Sequence, residues 1–112
     1  MNILKIKFFA DFTASGIWVM TDDGENYSLL NTEMEDFEEL CEIKLSQGLK
    51  NKIEAMNLAY THFAWESPSE PYDVKLTGNV WDYMSHTISE DFCKEFPHLA
   101  KLVEYEAFDE IG

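Results

Sequence analysis

Arginine is absent from this chain. Its only bases are eight lysines and three histidines, set against 22 aspartates and glutamates, for a formal net charge of −14. Surfaces that hold phosphate draw on arginine clusters in a positive field, so this balance excludes DNA, RNA and anionic membrane as direct partners. Cysteine is nearly absent too. Cys41 and Cys93 are too few for a disulfide framework, and both lie in apolar helical contexts that predict buried free thiols. No apolar run approaches the roughly 18 residues that span a bilayer. The start, Met1-Asn2-Ile3-Leu4-Lys5, alternates and carries charge too early for a secretory signal. The expected compartment is therefore the cytosol.

Chemistry-bearing motifs are lacking as well. There is no G-x-G-x-x-G, no G-x-x-x-x-G-K-[ST] and no G-x-S-x-G. No C-x-x-C or H-x₃-H pair anchors Cys93, His98, His86 and Cys41 around zinc. Asp22-Asp23-Gly24-Glu25-Asn26 lacks the alternating ligands and terminal glutamate of a calcium loop, and reads as a hairpin turn. The chain is expected to be non-enzymatic, with no cofactor and no metal.

What is present is a foldable core. Hydrophobic residues make up 46% of the 112 positions and aromatics 14%, which suits one packed domain over residues 1–112 rather than an acidic tail. Leu4, Ile6 and Phe8 alternate with Lys5 and Lys7, predicting a half-buried strand over 2–10. A hairpin is predicted from 16–21 and 25–30. A helix follows over 32–44, with Thr32 and Glu35 as a capping box and Met34, Phe37, Leu40 and Cys41 on its core face. Leu45, Leu49, Ile53, Met56, Tyr60 and Phe63 form the strongest helical stripe, with Ser46 as its N-cap. Lys50 and Lys52 on that helix are placed near the acidic one. Pro68 and Pro71 break the chain into a loop over 66–73, and Val74-Lys75-Leu76 reads as a short extended piece. Val80, Trp81, Met84 and Ile88 define a third helix, with Ser89 opening a second set of turns that carries Phe92 and Phe96 before Pro97 ends it. Residues 102–108 read as a last strand. Its Glu104 and Glu106 alternate as Lys5 and Lys7 do, so the terminal strands are expected side by side with their charges paired on the wet face. The expected fold is α+β: a small, largely antiparallel sheet covered on one face by about three helices.

Two acidic patches are the candidate binding surfaces. From Phe8 to Ile43 the chain has ten carboxylates and no base, and Glu35, Glu38, Glu39 and Glu42 fall in one stripe of the 32–44 helix. Asp22 and Asp23 add to it. The loop around Trp65, Glu70 and Tyr72 joins aromatics to acids, the pattern of an anchor within a charged rim. Such surfaces steer a cationic protein inward. The competing readings are a solvated face that confers solubility and edge packing for the aromatics. A small acidic adaptor or regulatory domain would use the same surface.

Ala10-Asp11-Phe12 with Ser15-Gly16-Ile17-Trp18, then Leu45-Ser46, Leu49, Ile53 and Tyr60, and finally Val103-Glu104-Tyr105, resemble a pattern in small acidic immunity proteins of bacterial polymorphic-toxin and contact-dependent growth inhibition loci. The resemblance is scattered over most of the chain in short pieces. It implies a cytosolic, stoichiometric inhibitor of a basic toxin C-terminal domain, often a nuclease. Immunity proteins have many folds, so the resemblance carries no site residue over.

Overall fold

A computed structural model describes residues 2–11, 14–22, 28–62 and 74–105, with side chains of the last stretch from Val80 onward. Strand β1 (Ile3–Phe8) is an inner strand of a four-stranded sheet, beside β2 (Ile17–Thr21). Next come β3 (Leu30–Asn31), α1 (Met34–Cys41), α2 (Gln47–Tyr60), α3 (Val74–Glu95), a 3₁₀ helix (Pro97–Leu102) and β4 (Val103–Glu104). The strand order is β3-β2-β1-β4.

The terminal strands are neighbours, as the alternating charges predicted, and Lys5 Nζ lies 3.6 Å from a Glu104 carboxylate oxygen. Their direction corrects the expectation of a largely antiparallel sheet. β1 pairs antiparallel with β2, and β2 with β3, but β1 and β4 run parallel, with Ile6 opposite Val103 and Lys7 opposite Glu104. A parallel pair needs a long crossover, which the helical middle of the chain supplies. Alternation has period two in either direction, so the sequence pattern named the neighbour but not its polarity. Both edge strands are short among the described residues. Of the predicted 25–30 arm, residues 28 and 29 are not strand and Leu30 is, in a strand that runs on to Asn31; of the predicted 102–108 strand, Val103–Glu104 is strand and Leu102 belongs to the 3₁₀ helix, while residues 25–27 and 106–108 lie outside the described residues. The Asp23-Gly24 turn and Glu106 lie outside the described residues.

One face of the sheet makes the core. Ile6 and Phe8 from β1 and Ile17 and Val19 from β2 are buried against Phe37 of α1, Leu49, Ile53 and Met56 of α2, and Ile88 and Phe92 of α3. Phe8 meets Phe37 edge-on at 6.1 Å and Phe92 at 5.1 Å, while Phe37 and Phe92 lie 5.7 Å apart. Three rings thus tie strand, α1 and α3 together, each contributing about 1.5–3 kcal/mol of burial. On the opposite face Lys5 pairs with Met20 and Lys7 with Trp18. Trp18 stacks on Phe9 at 4.5 Å and donates its indole N–H to the Phe9 carbonyl at 3.1 Å.

Two local readings change in α3. Val74–Leu76 is helical, not extended. Three alternating residues satisfy either period, and a stripe running on through Ile88 propagates helix back over them. Ser89 starts no new segment. It is fully buried inside one continuous helix and donates its hydroxyl to the Ser85 carbonyl at 2.8 Å. The neighbouring Ser85 hydroxyl reaches Met56 Sδ at 3.9 Å. Small polar side chains that bond within their own helix let α3 press close to α2.

Candidate functional site

The acidic segment folds as predicted on its core side. Phe37 is buried, and Met34, Leu40 and Cys41 pack partly buried against it. The capping box does not form. The N-cap is Glu33, with no side-chain cap bond, and Thr32 instead donates its hydroxyl to the Leu30 carbonyl at 3.1 Å. Pairing of β3 with β2 fixes Thr32 in the sheet, since its own N–H donates to the Ile17 carbonyl at 2.9 Å. It is therefore not available at the helix start. Glu35 and Asp36 lie in the first turn, where the helix dipole favours anions.

The four glutamates do not share one stripe, because the helix ends at Cys41. Glu42 sits in the left-handed region (φ 56°, ψ 46°). Its N–H donates to the Glu39 carbonyl at 3.3 Å, and Ile43 N–H to the Glu38 carbonyl at 3.0 Å, which together close a Schellman motif. Glu35 and Glu39 are exposed. Glu38 is engaged internally. One of its carboxylate oxygens accepts the Leu45 N–H at 2.8 Å, and the other lies 3.6 Å from Lys50 Nζ. Glu38 therefore fastens α1 to the start of α2. That start is capped as predicted, with Ser46 Oγ accepting the Leu49 N–H at 3.1 Å. Lys50 is near the acidic helix as expected. Lys52 is not; it pairs with Asp91 of α3.

Between α1 and the first half of α2 this geometry opens a cleft of about 660 Å³, lined by Glu33, Met34, Glu35, Asp36 and Glu38 on one side and by Gln47, Lys50 and Glu54 on the other. Five carboxylates and one lysine leave it with a formal charge of −4. A second, shallower concavity of about 450 Å³ lies at the C-terminal end of α1, formed by Glu38, Glu39, Glu42, Ile43 and Lys44. The predicted patch is thus split in two, with Glu38 in both. Glu33 and Glu54 join the larger cleft without having been singled out from sequence. Glu54 was findable, because it lies four residues after Lys50 and seven after Gln47, on one face of α2.

The remaining predicted residues fall elsewhere. Asp22 accepts the Asn2 N–H at 2.6 Å, and this bond holds its carboxyl below the usual range; it closes the ends of β1 and β2 and lines neither concavity. Asp23, Trp65, Glu70 and Tyr72 lie outside the described residues. Among the described residues, no group of three or more His, Cys, Asp or Glu side chains converges to hold a metal ion, and no helix is long and apolar enough to cross a membrane. Burial pushes the Cys41 thiol up to about 11, away from nucleophilic use near neutral pH. Tyr105 donates its hydroxyl to Cys93 Sγ at 3.1 Å, and that bond above all pushes the phenol up to about 12. His86 Nε2 lies 2.6 Å from a Glu90 carboxylate oxygen, the local pairing that the four-residue spacing predicts.

What the larger cleft offers chemically is concave negative potential, with Met34 the one apolar side chain in its lining. Comparison with protein-family models, with curated proteins and with solved structures finds no match.

Proposed function

We propose that this chain is a stoichiometric inhibitor of a basic protein domain, an immunity-type protein whose fitting target is a nuclease. The single observation that carries the reading is the α1–α2 cleft. It is concave, it bears five carboxylates, and its one lysine is held by Glu38. Nucleic-acid enzymes are basic where they hold phosphate. In this reading their lysines and arginines enter the cleft and pair with Glu33, Glu35, Asp36 and Glu54, so substrate and inhibitor compete for the same cations. The formal charge of −14 accelerates the encounter. Glu39 and Glu42, on the shallower concavity, form the flank of the contact; Glu38 supports it from within.

Growth rescue tests this. The chain is co-expressed with a basic nuclease toxin domain from its native host, and the purified pair is titrated at about 0.05 and 0.5 M salt. The wild type is expected to restore growth and to form a one-to-one complex that weakens as salt rises. The combined Glu35→Lys, Asp36→Lys and Glu54→Lys variant is expected to lose rescue and at least roughly tenfold in affinity. A complex that tolerates all three reversals would falsify the cleft as the interface. A one-to-one complex without growth rescue points instead to an adaptor using the same surface.

A further inference from the structure

The acidic cleft is graded along its length. Residues 42–46 turn α2 back along α1, so Glu38 meets Lys50 at 3.6 Å near this link. One helical turn further from the link, the walls carry Met34 and Glu35 on one side and Glu54 on the other. At the linked end the charges cancel. Lys50 lies against Glu38, and beside it Gln47 donates its side-chain amide to the Asn51 side-chain carbonyl at 2.9 Å. Toward the far end they do not. Among the described residues, Glu33, Glu35, Asp36 and Glu54 take part in no ion pair. Lys50 and Glu54 are four residues apart, but with the lysine first, the less favourable order along a helix, and Lys50 reaches across to α1 instead.

Glu38 does not use up Lys50. An ammonium carries three donors. The Glu38 contact, at 3.6 Å, is an ion pair longer than a hydrogen bond, and the second Glu38 oxygen is taken by the Leu45 N–H. The Lys50 side chain lines the cleft and is 31% exposed. A partner that covers it takes its donors out of water, and a donor buried without an acceptor is destabilising, the more so when charged. A cation brought to the same point also meets like charge.

We propose that Lys50 is the specificity-determining residue of this cleft. It selects a partner segment of mixed charge: lysine or arginine at the end marked by Glu33 and Glu54, and an acceptor, a carboxylate above all, about 6 Å along at the Lys50 end. This rests on the reading of the cleft as the partner site. A chain of net charge −14 attracts any polycation, which gives rate without discrimination. Lys50 supplies the repulsive element that discrimination needs.

Three alanine-rich helical peptides of about 15 residues, acetylated and amidated, test it by nuclear magnetic resonance titration of the full-length chain. Each carries two arginines and, one turn on, a glutamate, an alanine or a third arginine. Net charge alone ranks the three-arginine peptide first. The wild type is expected to bind the glutamate peptide tightest, roughly fivefold ahead of the three-arginine peptide, with the signals of Lys50 and Glu54 shifted. Lys50→Met keeps the apolar stem without the charge and is expected to reverse that order, and Lys50→Arg to restore it. The wild-type ranking carries the test whether or not the variants fold. A wild type that ranks the peptides by net charge, or a Lys50→Met variant that keeps the wild-type order, would overturn the role of Lys50 and leave the cleft standing. No shift of cleft signals with any peptide, or binding that Glu54→Lys leaves unchanged, would overturn the cleft itself and this inference with it.

Discussion

Glu38 shows how one residue can be misread from its neighbours. On a helical wheel it belongs with Glu35, Glu39 and Glu42, yet its carboxylate is mostly covered and serves Leu45 N–H and Lys50 together. A charged hydrogen bond to an otherwise unpaired N–H is worth about 1.5–3 kcal/mol. Glu38→Ala is expected to destabilise the chain by about 2 kcal/mol in chemical denaturation, and Glu38→Gln, which keeps an acceptor for Leu45, by under about 1 kcal/mol. Equal losses for the two would mean that the Leu45 bond contributes little. Gly16 makes the same point about contacts distant in sequence. Its φ is +90°, and a Cβ there would come within 2.8 Å of the Asn57 Oδ1. Asn57 meanwhile donates from its side-chain amide to the Ser15 carbonyl at 2.5 Å. No local pattern announces that this glycine must admit α2. The glutamate run, by contrast, was plain in the sequence; what was hidden was which acid would be turned inward, since that depends on where α2 begins.

Element boundaries were legible where a side chain could cap and obscure where a tertiary partner intervened. Ser46 opened α2 as predicted, because its hydroxyl and the Leu49 N–H are three residues apart and need nothing else. Thr32 failed to open α1, because β2 holds it in the sheet. The end of α1 was overrun for another reason. A left-handed glutamate is rare, and nothing before Glu42 forbids another turn. Leu45 reaches the core from beyond this reversal, where its N–H is also taken by the Glu38 carboxylate. Glu42 bears the cost of that reversal. Glu42→Gly is expected to raise stability by about 0.5–1 kcal/mol, since glycine enters the left-handed region without the Cβ penalty, part of which is offset by its freer unfolded chain. Thermal unfolding measures it, and a lowered midpoint would show that the glutamate side chain contributes more at this position than its backbone strain costs.

At the scale of the molecule, charge sets two opposite dependences on salt. A chain of net charge −14 repels itself when compact; against that, Glu38, Asp91, Glu90 and Glu104 have ion pairs within 4.0 Å. Raising monovalent salt from about 0.01 to 0.2 M is expected to raise the melting midpoint by a few degrees as that repulsion is screened, while the same change weakens binding to any cationic partner. A midpoint that falls over this range would mean that the native ion pairs outweigh the repulsion. The sequence by itself determined the α+β class, most of the core faces of the strands and helices, the neighbouring terminal strands and the sign of the surface, since each follows from periodicity or composition; Leu4 and Val80, predicted on those faces, are exposed instead, Leu4 beside a register shift in β1. Tertiary structure alone decided that β4 runs parallel to β1, that Glu38 and Thr32 are diverted from their predicted roles, and that Glu33, Asp36 and Glu54 converge from two helices. Direction and convergence depend on how elements are connected and packed through space, and a one-dimensional pattern carries neither.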